Sequence, residues 1–147
     1  MQIGELIISL HNNLQSLCRN SVLLKDASFQ QIMGIIALDL DGMEMSSFSF
    51  KIGVDNSTAT RLVSRLEKRG WVVRKKDKFD KRIVIVSLTE EGKIIQNDLE
   101  IQFDKLGKEI KKKILLQKDE SILESVNTLN WILMKIKMET NNIVLCK

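Results

Sequence analysis

The side chains best suited to chemistry in this sequence are polar and basic groups between residues 55 and 69. Their spacing of three or four residues places several on one face of an α-helix: Ser57, Thr60, Arg61, Ser64 and Lys68. This face carries hydroxyl and cationic groups but no acidic group. Because hydroxyl and guanidinium groups donate hydrogen bonds and cations pair with phosphates, the face suits a polyanion.

A helix, a glycine stop and a hairpin must position these groups. Asp55 is a favourable N-cap, since its carboxylate can accept hydrogen bonds from the first-turn N–H groups. Gly70 ends the helix, residues 71–73 begin a strand, residues 75–82 form a charged tip, and residues 83–88 return. The buried face of the helix is predicted to hold Ala59, Leu62, Val63 and Leu66. A helix with a polar-basic face followed by a basic hairpin is typical of a winged helix-turn-helix.

The distribution of charge agrees with this interpretation. Residues 1–50 contain two basic and five acidic residues, whereas residues 51–82 contain eleven basic and four acidic ones. Residues 83–147 contain ten of each. The excess of positive charge therefore lies in the predicted helix and hairpin, as expected of an electrostatic footprint on nucleic acid.

Amphipathic helices are predicted on both sides of this segment. Ile3, Ile7, Leu10, Leu14 and Leu17 form the apolar stripe of a first helix. Ser28 and Gln31 form a capping box that opens a second helix through Leu38, and a short helix runs from about Ser46 to Ile52. Thr89 caps a long helix to about Ile114, and a last helix covers roughly residues 119–138. The stripes of the terminal helices exceed what a small winged domain can cover.

The sequence gives little support for a catalytic, cofactor or metal site. His11 is the single histidine, and we find no phosphate-binding glycine loop, metal-ligand spacing or nucleophile–base pair. We therefore predict a protein that is not an enzyme and that needs no cofactor or metal. Two cysteines, Cys18 and Cys146, do not make a disulfide framework, and no secretory signal or membrane-spanning run is recognisable. A cytoplasmic protein with no membrane partner is expected.

Four motifs give a family resemblance. They are S-T-x-T-R-L-V at the helix start, R-L-E-K-R-G at its end, D-x-x-D-K-R at the hairpin tip and S-L-T-E-E-G at the exit. The four motifs lie close together in this order, and together they resemble the core of the MarR family of bacterial transcription regulators. The resemblance implies a homodimer joined through the terminal helices, binding double-stranded DNA. It also implies a small aromatic or phenolic ligand, bound where the dimer helices meet the winged domain.

The predicted fold class is mainly α with a small β-wing, organised as one MarR-type domain over residues 1–147. Residues 28–88 form the winged helix-turn-helix, residues 89–114 a long connecting helix, and residues 1–22 and 115–147 the dimerisation helices. A helix-turn-helix dimer places the start of its second helix in the major groove, with half-sites one helical turn apart. We therefore expect a pseudo-palindromic operator and, by family habit, repression.

The expected DNA contacts fall into three groups. Side chains for the major groove are Asn56, Ser57, Thr58, Thr60, Arg61 and Ser64. Phosphate contacts are expected from Arg65, Lys68, Arg69, Arg74, Lys75 and Lys76. At the wing, Lys81 or Arg82 is expected to enter the minor groove, with Asp77 or Asp80 bracing the arginine. The competing interpretation of the wing is a solvated hairpin whose aspartates only shape the turn.

Two alternative functions remain open from the sequence. A winged fold can serve as a protein–protein interaction module, although the acid-free helix face argues against it. The second alternative is a redox-sensing regulator that uses Cys18. This cysteine follows Leu14 by four residues at the edge of the first apolar stripe, so the simpler interpretation is a small buried hydrophobe.

Overall fold

A computed structural model describes residues 2–117 and 121–145, with side chains to residue 140. The described chain is mostly helical with one small sheet. It divides into two compact units, Met1–Leu106 and Gly107–Lys147. The elements in chain order are α1 (Ile3–Ser21), α2 (Phe29–Ala37), β1 (Met43–Glu44), α3 (Met45–Ile52), α4 (Asn56–Lys68), β2 (Val72–Lys76), β3 (Val84–Leu88), α5 (Glu90–Leu116) and α6 (Ser121–Leu145). The predicted class, mainly α with a β-wing, is confirmed.

Local capping fixes where α2 begins. The Gln31 backbone N–H donates to Ser28 Oγ at 3.2 Å, and the Gln31 side chain accepts from the Ser28 backbone N–H at 2.9 Å. The predicted capping box is therefore confirmed. The short helix α3 begins at Met45, one residue earlier than predicted, and α4 follows it after a turn at Gly53. These three helices form the helix-turn-helix.

The sheet has three strands rather than the two predicted. β3 lies between β1 and β2 and pairs antiparallel with both. The missed strand, β1, is only two residues long, too short for an alternating pattern to show in the sequence. Lys75 and Lys76 belong to β2, opposite Ile85 and Val84, so the hairpin tip comprises residues 77–83 and not 75–82.

The core lies between α2, α3, α4, the sheet and the first half of α5. Its fully buried members include Ile35, Phe48, Leu62, Val86 and Leu99. Gln96 of α5 is also buried, and its amide donates to the Ile35 and Leu38 carbonyl oxygens at 2.8 and 2.7 Å. These carbonyls end α2, where the helix supplies no partner of its own. The side chain of Gln96 thus completes α2 from a neighbouring helix.

The long helices differ from their predicted bounds. α5 continues to Leu116, α6 runs from Ser121 to Leu145, and the predicted start at Asp119 lies outside the described residues. α1 buries none of its side chains, and α6 exposes large apolar groups, among them Trp131, Met134 and Ile136. None of the helices described is both long and apolar enough to cross a membrane.

Candidate nucleic-acid interface

Helix α4 is fixed at its start by Asp55. This carboxylate accepts from the Thr58 backbone N–H at 2.9 Å, from Thr58 Oγ1 at 2.7 Å, and from Ser57 Oγ. These bonds, that from the Ser57 hydroxyl first, hold the pKa of Asp55 well below its ordinary value. The capping role predicted for Asp55 is confirmed. The Ser57 and Thr58 hydroxyl groups thus both donate their protons to the Asp55 carboxylate.

The two faces of α4 have opposite environments. Ala59, Leu62, Val63 and Leu66 are at most 2% exposed, as predicted. The other face is solvent-exposed at most positions, with Thr58 and Ser64 half-buried; its exposed members include Asn56, Ser57, Thr60, Arg61, Arg65 and Lys68. Burial on one face orients the other outward, so the helix presents hydroxyl, amide and cationic groups to whatever approaches.

Hydrogen bonds to the helix backbone order part of this outer face. Thr60 Oγ1 donates to the Asn56 carbonyl at 2.7 Å, and Ser64 Oγ donates to the Thr60 carbonyl at 2.9 Å. Arg61 lies back along the helix, with Nε 3.4 Å from the Ser57 carbonyl oxygen. A bond this long is weak, so the Arg61 guanidinium can leave it for a stronger acceptor.

Asn56 is tied to the preceding helix. Its Oδ1 accepts from Ser49 Oγ at 2.6 Å, and Ser49 is 94% buried in α3. A bidentate contact with adenine needs both the oxygen and the nitrogen of the amide. The contact with Ser49 holds the Asn56 amide in one orientation and leaves DNA its N–H groups and the second lone pair of Oδ1.

Two of the six residues expected at phosphates have partners inside the protein. Arg74 donates to Glu67 through Nη2 at 2.6 Å and Nε at 3.1 Å, which joins β2 to α4. The hydrogen bond from Arg74 holds the pKa of Glu67 below its usual value. Arg69 donates to the Asp26 carbonyl and lies over the Trp71 ring, 4.7 Å from its centroid. Arg65, Lys68, Lys75 and Lys76 are exposed.

The tip of the hairpin is a turn held by its own aspartates. Asp77 Oδ1 accepts from the backbone N–H groups of Phe79 and Asp80, at 2.8 and 2.9 Å. The Asp80 carboxylate accepts from the backbone N–H and side chain of Arg82, with Nη2 to Oδ2 at 2.9 Å. The predicted brace is therefore Asp80, while Asp77 shapes the turn. These bonds lower the pKa of both carboxyls, for Asp77 mainly through the Asp80 N–H and for Asp80 mainly through the Arg82 side chain.

A groove of about 620 Å³ separates the start of α4 from the hairpin. Cationic side chains converge on it from β2 and from the tip of the hairpin, opposite the Asn56 and Thr60 side chains of α4. Its lining residues are Glu44, Met45, Ser46, Asn56, Thr60, Arg74, Lys75, Lys76, Arg82, Ile83 and Val84. Six of the predicted contact residues line this groove, and the others, Arg61 and Lys68 among them, do not; the six are Asn56, Thr60, Arg74, Lys75, Lys76 and Arg82.

The exit motif S-L-T-E-E-G docks α5 onto the end of α4. Thr89 Oγ1 donates to the Gly70 carbonyl at 2.6 Å and accepts from the Gly92 N–H at 3.0 Å, which confirms Thr89 as the cap. Gly70 adopts a left-handed φ of 77°. A Cβ on Gly92 would overlap the Trp71 carbonyl, so only glycine permits this approach. The end of α4 and the start of α5 are joined at this point.

Sequence reasoning missed three residues of this region. Phe79 projects from the hairpin tip, Ser49 holds Asn56, and Glu67 holds Arg74. The aromatic ring of Phe79, isolated in the charged run K-K-D-K-F-D-K-R, was a detectable signal. Cys18 is half-buried in α1 and not buried as predicted, and its redox role stays a prediction. Cys146 lies outside the described residues.

Comparisons with known proteins agree with this geometry. A model described as MarR family matches residues 36–84. The chain is 30% identical over 118 residues to YfiV of Bacillus subtilis, an uncharacterized HTH-type transcriptional regulator, covering 78% of this chain and 72% of that protein. It is 36% identical over 61 residues to the HTH-type transcriptional regulator SarZ of Staphylococcus epidermidis, covering 42% of this chain but only 41% of that relative.

A solved structure shares the fold over nearly the whole chain. FabT of Streptococcus pneumoniae, determined in complex with DNA, matches with a TM-score of 0.66 and covers 96% of both chains at 21% identity. At this identity the likeness shows the fold alone. The family is shown by the matching model together with the long alignment to YfiV, and the winged helix-turn-helix described above is its architecture. The chain belongs to the MarR family of transcription regulators.

Proposed function

We propose that this protein is a homodimeric regulator that binds a pseudo-palindromic operator through α4 and the hairpin. One observation carries the proposal: α4 buries its whole apolar face and turns outward a face of hydroxyl, amide and cationic groups, on which the one acid, Glu67, is paired with Arg74. A merely solvated helix has no need to exclude or pair its acids. A helix that lies against phosphates does, because each carboxylate there would repel the DNA.

In the major groove we assign base reading mainly to Arg61. Its guanidinium has only weak bonds to Ser57 in the free protein, and a bidentate contact to guanine supplies about 1–3 kcal/mol of discrimination. Thr60 and Ser64 lie on the same face and can reach base edges or backbone. Asn56 contributes amide N–H groups, and Ser57 and Thr58 chiefly hold the helix start through Asp55.

We assign phosphate contacts to the exposed cations Arg65, Lys68, Lys75 and Lys76. Arg69 and Arg74 instead stabilise the interface from within, through Asp26 and Glu67. Lys81 and Arg82 lie at the hairpin tip and suit a narrow minor groove, whose negative potential attracts cations. The Asp80 carboxylate limits the conformations of the Arg82 side chain before any DNA arrives.

The terminal helices supply the proposed dimer interface. Seven large apolar side chains of α1 are at least 40% exposed: Ile3, Leu6, Ile7, Ile8, Leu10, Leu14 and Leu17. All of these except Ile8 lie on one face of the helix, and a contiguous apolar stripe of six such side chains marks an interface. Two copies joined there would read half-sites roughly 34–36 Å apart, one helical turn of DNA.

Regulation is proposed as a shift between dimer arrangements. A ligand that favours a dimer with the wrong separation of its two α4 helices lowers DNA affinity by its coupling free energy. Following the family resemblance, we propose a small aromatic or phenolic anion as this ligand and repression as the resting activity.

The test begins with selection of bound fragments from a genomic DNA library by the wild-type protein. Binding of the selected duplex and of random DNA is then compared for Arg61→Ala, Lys75→Ala and a charge-matched control, Lys108→Ala in α5. We expect Arg61→Ala to weaken the selected duplex far more than random DNA. Lys75→Ala should weaken both alike and reduce the salt slope by about one unit.

Lys108→Ala is expected to leave binding unchanged, since this exposed lysine belongs to neither α4 nor the hairpin. Equal losses on both DNAs for Arg61→Ala would contradict base reading by this residue. Failure of the wild-type protein to enrich any duplex at low ionic strength would contradict the proposed function and favour a protein-binding winged module.

A further inference from the structure

The apex of the hairpin carries an aromatic ring that touches almost nothing. Phe79 is 98% exposed, the highest value among the large apolar side chains that the structure describes as exposed; the next, Ile94, is 72%. Single exposed apolar groups are common on protein surfaces. Phe79 differs from the others in its nearly complete exposure at the tip of the hairpin.

The backbone beneath this ring is held in place. The Phe79 N–H is bonded to Asp77 Oδ1 at 2.8 Å, and the Asp77 N–H to the Ile83 carbonyl at 3.0 Å. The Ile83 N–H is bonded in turn to the Asp80 carbonyl at 3.0 Å. A side chain presented on an ordered turn loses less conformational freedom when it binds than one on a loose loop.

The charges around the ring indicate what it meets. Lys78 precedes Phe79, and Lys81 and Arg82 follow it; all three are exposed. The two acids of the tip, Asp77 and Asp80, use their carboxylates within the turn. An apolar ring surrounded by outward cations is poorly matched to an apolar protein groove but well matched to DNA, which offers phosphates beside stacked bases.

We infer that Phe79 is a wedge that enters the minor groove at the outer edge of each half-site and partly unstacks one base step. The inference rests on the proposed DNA binding and adds to it a specific contact. Inserted apolar side chains of this kind kink a duplex by roughly 20–90° toward the major groove. Lys81 and Arg82 would hold the adjacent phosphates or groove floor while the ring deforms the stack.

This role predicts a sequence preference at positions where no base edge is read. Pyrimidine–purine steps, TA and CA/TG, unstack most easily. The selected operators should therefore carry such a step at a fixed distance outside each position read by α4. Replacing it with a stiff A-tract should lower affinity for the wild-type protein and leave a Phe79→Ala variant unaffected.

The experiment uses the duplex selected by the wild-type protein, labelled at both ends for energy transfer and carrying 2-aminopurine in place of adenine at the flanking step. We compare Phe79→Ala and Phe79→Trp with Lys78→Ala, a control that removes a charge next to the ring. Wild-type binding should bend the duplex and raise 2-aminopurine fluorescence. Phe79→Ala should lose both signals and about 5- to 100-fold in affinity, with an unchanged salt slope.

Phe79→Trp should restore both signals, while Lys78→Ala should keep them and reduce the salt slope. If Phe79→Ala binds and bends the duplex as the wild type does, the wedge is overturned and the proposed DNA binding stands. If the wild-type protein binds no duplex, both are overturned. If Phe79→Ala weakens dimerisation but still bends the duplex, the ring belongs to a protein interface, and the wedge is likewise overturned.

Discussion

Helices α1 and α4 are both amphipathic, yet only one of them is covered. The 13 residues of α4 bury four apolar side chains, whereas the 19 residues of α1 bury none. The periodic pattern in the sequence is equally clear in the two. It shows which side of a helix is apolar but not what covers that side. For α4 the cover is the rest of the winged segment, and for α1 we propose a second copy of the chain.

The largest effects are expected when one leucine of each helix is replaced by alanine, which tests whether the apolar faces of α4 and α1 are covered in different ways. Leu62 of α4 is 2% exposed, so Leu62→Ala should lower the free energy of unfolding by about 2–5 kcal/mol. Leu14 of α1 is 46% exposed in the single chain. Leu14→Ala should weaken self-association instead, measured by sedimentation over a range of protein concentrations. A Leu14→Ala protein that self-associates like the wild type would contradict the role given to α1.

A second test concerns the polar groups of the covered region. Gln96→Leu keeps the side-chain volume but leaves the buried Ile35 and Leu38 carbonyls without a donor, which should cost about 2–3 kcal/mol of unfolding free energy. Gln102→Leu is the matched control on the same helix. Gln102 bonds the Leu23 N–H and carbonyl where water can replace it, so its loss should cost under about 1 kcal/mol. Equal losses, measured by urea denaturation, would show that burial of Gln96 does not matter.

Two glycines of α5 give a third test. A Cβ at Gly92 would overlap the Trp71 carbonyl, and Gly92→Ala should therefore destabilise the fold by about 1–3 kcal/mol. At Gly107 an added Cβ meets nothing within 4 Å, and Gly107→Ala should stabilise the helix by about 0.5–1 kcal/mol. Thermal unfolding of the two variants should shift in opposite directions. A stabilised Gly92→Ala protein would contradict the close approach of α5 to Trp71.

The smallest expected effect is the pH dependence of the α4 cap. Hydrogen bonds from Ser57 and Thr58 lower the pKa of Asp55 below its unfolded value of about 3.9, so the contribution of Asp55 is complete above that value and is lost as the pH falls through the folded pKa. Asp55→Asn removes the titrating group. The stability difference between wild type and Asp55→Asn, measured by urea unfolding from pH 7 downward, should be constant to about pH 5 and then shrink. A difference independent of pH would exclude the ionised cap.

Local rules made much of the fold predictable. Asp55, Ser28 with Gln31, Thr89 and Gly70 each act within a few residues along the chain, and their roles followed from their types and positions. The site was predictable to the same extent: the outer face of α4 and the hairpin were recognised. What could not be predicted depends on distant partners. Nothing local indicates that Gln96 reaches carbonyls 58 and 61 residues away, or that β1 pairs with Val86.

The same limit applies within the interface. Arg69, Arg74 and Lys75 are indistinguishable as cations in the sequence, yet the first two have internal partners and the third does not contact an acid in the described structure. The spacing likewise does not indicate which of Asp77 and Asp80 pairs with Arg82, and the structure shows the pair with Asp80. Residue type selects which groups are able to bind DNA, and the fold decides which of them remain available.

The pair between Arg74 and Glu67 has a consequence for how such a protein can evolve new targets. It joins β2 to the last turn of α4 and so limits how far the hairpin can move relative to that helix. A duplex with different groove spacing would require the hairpin to move against this ion pair. Adaptation to a new operator is therefore expected to come from substitutions in α4 and the hairpin. It can also come from a change in the separation between the α4 helices of the two proposed subunits.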